Sequence, residues 1–116
     1  MKLSDLAAKL NLRSLTPQRP PTDADITAGY VSDLLSDVQA NAPRGGVLVT
    51  VQVHLNVVAV AVHAELAAVI FALDRVPDEN VVAKALEEGV SLYVSSESAF
   101  ELVGRLYAAG VRGPNA

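Results

Sequence analysis

The sequence predicts a single α/β domain in which a mostly parallel sheet of about five strands is flanked by helices. A chain of 116 residues, 51% hydrophobic and 19% charged, can bury a substantial core. Short Val- and Ala-rich runs alternate along it with segments of helical periodicity, and strands that alternate with helices usually pair in parallel. We see no internal boundary, so the domain is predicted to span residues 1–110, with 111–116 as a C-terminal tail.

The elements follow from periodicity and turn chemistry. Leu3, Leu6 and Leu10 share a helical face, valine occupies every odd position from 47 to 53, and Ser98 with Glu101 forms a capping box. The predicted elements are, in order, a helix at 3–10, an extended segment at 11–15, a proline-rich loop at 16–25, a strand at 26–31, a helix at 32–42, a strand at 47–53, a helix at 55–66, a strand at 67–73, a helix at 77–88 stopped by Gly89, a strand at 90–95 and a helix from 98 to 110.

The segment 55–66 is compatible with two structures. Its valines favour a strand, with a hairpin that turns at 54–56. We predict a helix that begins near Asn56, because no turn signal interrupts the run before Leu66. A helix that is apolar on almost every side must be buried, between the sheet and another element or in a subunit interface.

Composition and charge exclude several classes of function. The net charge is −4, and the nine Lys and Arg residues form no basic run, so we expect no nucleic-acid partner. Cysteine is absent, which excludes disulfides and thiolate chemistry. The longest apolar stretch falls short of a membrane span and no signal peptide is recognised, so a cytoplasmic protein without membrane contact is expected. The mean hydropathy of +0.32 is high for a small domain and suggests that part of the apolar excess is buried in a subunit interface.

Polar side chains follow the predicted strands where ligands bind in open α/β sheets. Our candidate ligand-binding residues are Ser32, Asp33, Gln52, His54 and Asn56. Each also has a structural interpretation: Ser32, Asp33 and Asn56 as helix caps, His54 as a hydrogen-bonding residue, and Gln52 as an amide that needs partners.

Three weaker candidates remain, and one of them is a fourth junction formed by Ser95 and Ser96 after the last strand. Asp33 and Asp37 share a helix face and could bind a divalent cation, although a solvated face is the better interpretation. Asp74 and Arg75 could form a turn ion pair, or Arg75 could meet a phosphate. P-loop, dinucleotide-binding and nucleophile-elbow motifs are absent, so no catalytic residue, metal or cofactor is predicted.

Two blocks combine polar identities with fixed spacing, namely Gly29-Tyr-Val-Ser-Asp-Leu-Leu-Ser-Asp-Val38 and Gln52-Val-His-Leu-Asn-Val-Val-Ala59. Together with Arg75-Val-Pro-Asp-Glu79 before a helix, they resemble the small DRTGG-domain proteins of anaerobic bacteria and archaea. The namesake pentapeptide is absent, and Leu73-Asp-Arg-Val76 stands where many relatives have a glycine-rich turn.

The resemblance implies a fold like the N-terminal domain of HPr kinase/phosphorylase, which is non-catalytic. It implies a regulatory role like that of DRTGG domains beside nucleotide-binding CBS pairs, and a dimer. It also implies a setting near iron-only hydrogenases and their sensor kinases.

Three hypotheses follow. The first is a non-catalytic regulatory module that self-associates and binds a small anionic ligand such as an adenine nucleotide, with helix N-terminal amides receiving the anion. The second is a protein–protein adaptor in a hydrogenase or sensor-kinase system. The third is a small phosphate-handling enzyme that uses His54 as acid and base.

Overall fold

The computed structural model describes residues 1–19 and 24–114 and contains one five-stranded sheet. The strands are β1 (Arg13–Ser14), β2 (Gly29–Val31), β3 (Val47–Thr50), β4 (Ala68–Phe71) and β5 (Leu92–Val94). The helices are α1 (Leu3–Lys9), α2 (Leu35–Asn41), α3 (Asn56–His63), α4 (Glu79–Glu88) and α5 (Ala99–Ala108). The predicted α/β domain with a mostly parallel sheet is therefore confirmed.

The strand order is β1-β5-β4-β3-β2. From β2 to β5 each strand pairs in parallel with the next strand along the chain, through one crossover helix at a time. Only β1 is antiparallel, and it pairs with β5 as the outermost strand on that side of the sheet. The carboxyl ends of four parallel strands consequently meet at one edge of the sheet, which we call the carboxyl edge.

Helices cover both faces of the sheet. In β3, Leu48 packs with α2, α3 and α4, whereas Val49 packs with α1 and α5. The parity reverses in β4, where Val69 packs with α2, α3 and α4 and Ile70 packs with α1 and α5. All four residues of β3 and of β4 are buried, as expected for parallel strands covered on both faces. This two-sided burial is why the strands are rich in valine throughout.

The ambiguous segment is a helix, as predicted. Val57, Val58, Val60 and Ala61 are buried against the sheet and neighbouring helices. The domain's own core therefore absorbs most of the apolar excess that suggested a subunit interface.

Element boundaries differ from the predicted ones, mostly by shortening. The predicted strand 26–31 is regular only over Gly29–Val31, and the predicted helix 32–42 begins at Leu35. Before β2, backbone contacts to other loops replace the regular hydrogen bonds between strands. Before α2, the Ser32 side chain accepts a backbone hydrogen bond in a local turn, so the helix starts later. Residues 20–23 of the predicted proline-rich loop lie outside the described part of the chain.

The chain after α5 returns to the exposed edge of the sheet. Val111 is buried in the core on the α1 and α5 side, and the backbone N–H of Gly29 donates to the Arg112 carbonyl at 2.9 Å. Arg112 also stacks on the Tyr107 ring at 3.7 Å. The first residues beyond position 110 thus pack on the domain, while the boundary at 110 stays a prediction.

Candidate functional site

Asp33 connects the ends of β2 and β3. Its Oδ1 accepts from the Thr50 hydroxyl at 2.9 Å and from the Val51 N–H at 2.8 Å. Thr50 is fully buried, so its hydroxyl needs partners, and it also accepts from the Gln52 N–H at 3.0 Å. One carboxylate and one hydroxyl therefore fix the paths of two loops.

The same network continues to the start of α3. The Gln52 amide donates to the Asp33 carbonyl at 3.4 Å, and its Oε1 accepts from the His54 N–H at 3.1 Å. His54 Nδ1 in turn accepts from the Asn56 N–H at 3.0 Å, which leaves the proton of a neutral ring on Nε2. We call Ser32, Asp33, Gln52, His54 and Asn56 the polar junction, because the structure brings the first four to the adjoining loops after β2 and β3 and Asn56 to the start of α3.

The expected helix caps are wrong in detail. Ser32 Oγ accepts from the Leu34 N–H at 3.2 Å before α2 begins, and no side chain caps that helix. Asn56 is the first residue of α3 rather than its cap, and His54 supplies the acceptor. Short polar side chains favour such local turns over the capping geometry.

The α3 amides are already occupied. The Val57 N–H donates to the His54 carbonyl at 2.9 Å, and the Val58 N–H donates to the Leu55 carbonyl at 3.2 Å. With Asn56 bound to His54, the first turn offers no free amide to an anion. Any ligand at the polar junction must therefore be recognised by side chains, such as His54 Nε2 and the Asn56 amide.

Asp33 and Asp37 do not form a shared carboxylate site. Asp37 Oδ1 accepts from the Tyr30 hydroxyl at 2.7 Å and from the Asn41 amide at 2.9 Å, whereas Asp33 binds β3. The Tyr30 hydrogen bond, followed by that of Asn41, lowers the pKa of Asp37 below its usual range. The same hydrogen bond raises the pKa of Tyr30. Within residues 1–19 and 24–114, no three His, Asp or Glu side chains are placed to hold a metal ion.

The loop after β4 has an unusual backbone. Leu73 and Asp74 are both left-handed, with φ of 58° and 53°. This conformation costs a non-glycine residue on the order of 1–2 kcal/mol. Two backbone hydrogen bonds hold it, from Leu73 N–H to the Glu97 carbonyl at 2.9 Å and from Asp74 N–H to the Ser95 carbonyl at 2.8 Å. The predicted Asp74–Arg75 ion pair does not form.

Ser95 and Glu97 complete the loop after β5. Ser95 is buried, and its hydroxyl accepts from the Glu97 N–H at 3.1 Å. Glu97 Oε1 pairs with Arg105 at 2.8 Å, which ties this loop to α5. These residues support the β4–α4 loop, whereas the sequence indicated Ser95 only as part of a possible fourth polar junction.

Two clefts lie near the polar junction. One, of about 420 Å³, separates α2 from α3, and it is lined by Leu35, Ser36, Gln39, Asn56, Ala59, Val60 and His63. His63 is exposed there rather than packed in the core. The other, of about 300 Å³, lies between β2 and α5 and is mostly apolar. Only the first reaches a residue of the polar junction, namely Asn56.

The architecture defines a layered α/β domain of DRTGG-like fold, as the comparison of structures shows. A similar solved structure contains the CBS and DRTGG domains of the regulatory region of Clostridium perfringens pyrophosphatase, complexed with its activator diadenosine tetraphosphate. The TM-score is 0.67 at 10% sequence identity, over 90% of this chain and 45% of that chain. This chain thus spans less than half of that structure, and the likeness concerns the fold alone.

The sequence comparisons are negative. No protein-family model matches the chain, and no curated protein matches it. In the part of the chain that the structure describes, no helix is long and apolar enough to cross a membrane.

Proposed function

We propose that this protein is a non-catalytic regulatory module that senses a small anionic ligand at the polar junction. The observation that carries the proposal is the hydrogen-bonded chain from Asp33 through Gln52 and His54 to Asn56. This chain joins two loops, so a ligand bound to one loop changes the other. The structural neighbour supports the proposal, because it belongs to a regulatory region that was solved with a nucleotide activator.

The chemistry of the junction favours a ligand with both a polar head and a flat or apolar portion. His54 Nε2 and the Asn56 amide are donors without a hydrogen-bond partner among the described residues. The cleft between α2 and α3 opens beside Asn56 and is within the size range of small-molecule sites. Arg75, exposed in the loop after the neighbouring strand β4, offers a cation for a phosphate at this edge.

His54 is proposed as a binding group rather than an acid–base catalyst. Its Nδ1 is committed to the Asn56 N–H, and no described carboxylate or hydroxyl orients the ring. This arrangement lacks the oriented base expected of a nucleophilic or general-base site. The interpretation as a phosphate-handling enzyme is correspondingly disfavoured.

A thermal-shift screen tests the ligand proposal. The panel contains adenine nucleotides, dinucleoside polyphosphates, other metabolite phosphates and divalent metals. A ligand at one hundred times its Kd should stabilise the protein by about 2.7 kcal/mol. His54→Asn, which retains a short acceptor but lacks Nε2, should abolish the shift, while Glu87→Gln, at an exposed position of α4 outside the cleft, should leave it unchanged. Silence across the panel, or a shift that His54→Asn does not reduce, would count against the proposal.

The second candidate function is a protein–protein adaptor, in a hydrogenase or sensor-kinase system as the resemblance implies. Large apolar side chains that are exposed at the carboxyl edge favour it. Self-association into a homodimer is a further part of the proposal, although α3 is covered within its own domain. Sedimentation velocity at micromolar concentration tests it, and a monomer would remove the homodimer.

A further inference from the structure

Apolar side chains are concentrated at the carboxyl edge. Leu34 is 65% exposed, Leu73 56% and Phe100 84%. Two more, Leu55 and Val76, are also exposed. We call these five residues the apolar edge surface, and each follows one of the four parallel strands. Exposed apolar residues that are grouped in this way mark an interaction site more often than single ones do.

Hydrogen bonds between neighbouring loops hold this surface together. The loop after β4 donates to the loop after β5 through Leu73 and Asp74, and the Ala72 N–H donates to the Thr50 carbonyl at 3.0 Å. The loops after β2 and β3 are joined through Asp33 and Gln52. The surface is therefore built on a connected support rather than on independent loops.

The backbone at Leu73 points to function. A left-handed leucine is unfavourable because its Cβ approaches the following carbonyl, and its exposed side chain gains little burial energy to offset that cost. Glycine would relieve the strain. Strain of this kind is characteristic of binding sites. A partner that covers Leu73 would recover part of the cost.

Charge selects the partner. In the four loops, three exposed carboxylates lack an ion-pair partner, namely those of Asp33, Asp74 and Asp78, and the same loops carry one exposed guanidinium, that of Arg75. Glu97 is already paired with Arg105. An acidic rim repels an extended polyanion such as nucleic acid or an anionic lipid surface, whereas one small anion can still be placed beside Arg75. It also opposes a second copy of this chain, which would bring the same carboxylates together.

We propose that the apolar edge surface docks an amphipathic helix of a partner protein, with an apolar stripe flanked by Lys and Arg. Strand ends offer no open ladder for a pairing strand, so side-chain packing is the available mode. Four strands spaced about 4.8 Å apart span roughly 14 Å, the length of about ten helical residues. An apolar pattern at i, i+3, i+4 and i+7 fits that span. This inference rests on the adaptor candidate and needs no small ligand.

The probe is a fluorescein-labelled peptide of about 14 residues that contains only leucine and lysine in this pattern. Two control peptides replace lysine with glutamate or scramble the order. The protein variants are a Leu73→Gly, Phe100→Gln double variant and, as the matched control, Val62→Gln, which alters an exposed valine near the far end of α3. Affinity is measured by fluorescence anisotropy, and a melting curve checks that each variant is folded.

We expect the leucine–lysine peptide to bind the wild-type protein and the control variant equally, and the double variant at least tenfold more weakly. Equal affinity for all three proteins would overturn the location of the surface but not the adaptor candidate. Binding of neither patterned peptide to the wild-type protein would remove that candidate itself. Preference for the glutamate peptide, binding to phosphatidylglycerol vesicles through these residues, or a dimer lost in the double variant would overturn the choice of partner. None of these outcomes bears on the nucleotide screen.

Discussion

Thr50→Val tests whether the hydrogen bonds of the Thr50 hydroxyl stabilise the two loops that form the polar junction. The substitution keeps the volume of a fully buried side chain and removes only its hydroxyl. That hydroxyl donates to Asp33 Oδ1 and accepts from the Gln52 N–H. Val51 still donates to Asp33, so the carboxylate keeps one partner while the Gln52 N–H loses its own.

The expected loss follows from those two bonds. A neutral hydrogen bond contributes about 1 kcal/mol net, and the exposure of Asp33 removes most of the usual gain from its charge. Thr50→Val should therefore lower the free energy of unfolding by about 2 kcal/mol. At roughly 4 °C per kcal/mol for a domain of this size, Tm should fall by roughly 8 °C.

Urea unfolding followed by circular dichroism measures this loss, and the slope of the free energy against urea should not change. Thr50→Ser is the matched control, because it keeps the hydroxyl and loses a buried methyl group, at a cost of about 1 kcal/mol. If Thr50→Val proves as stable as Thr50→Ser, or more so, the hydroxyl does not stabilise the junction and the reasoning fails.

Three further predictions concern other parts of the fold. Gly89 is left-handed at φ 75° after α4, so Gly89→Ala should lower the free energy of unfolding by about 1 kcal/mol. Gly104→Ala in the middle of α5 should raise it by about 0.5–1 kcal/mol, because nothing lies within 4 Å of the added Cβ. Ser98→Ala should cost about 1 kcal/mol through loss of the α5 cap. Asp37→Asn should destabilise at neutral pH. Since its folded-state pKa is depressed, the contribution of Asp37 is present above its unfolded value of 3.8 and is lost as the pH falls through the folded pKa.

Each of these has a clear contrary result. If both glycine variants raise Tm, or both lower it, the result would contradict the left-handed assignment of Gly89. An unchanged Ser98→Ala protein would show that the serine cap adds nothing. A stability difference between Asp37→Asn and wild type that persists undiminished at pH 2 would show that the ionised carboxylate is not what Tyr30 stabilises.

Much of the site could be predicted from the sequence because its placement depends on topology. Strands that alternate with helices bring their carboxyl ends to one edge, so Asp33 and His54 were expected near each other without any knowledge of side-chain geometry. The helical nature of 56–63 was likewise predicted from the lack of a turn signal before Leu66.

What the sequence could not predict is which groups bond to which. Whether the Asn56 side chain or the His54 ring accepts from a backbone N–H at the start of α3 depends on rotamers and local backbone turns, since both residues have a suitable acceptor. The left-handed backbone at Leu73 was equally hidden, because leucine carries no propensity for it and two carbonyls from another loop impose it. The exposed apolar residues at strand ends looked like ordinary core residues in the sequence.

The strand order also has a consequence for the time course of folding. From β2 to β5 every strand pairs with its successor, so each step closes only the short loop made by one crossover helix. β1 is different, because Arg13 pairs with Val94 and two segments that lie far apart in the sequence must meet. Closure of such a long loop is slow and yields little until α1 docks beside α5. The N-terminal segment should therefore be the last part of the chain to become protected from hydrogen exchange during refolding, and the first to open in the native state.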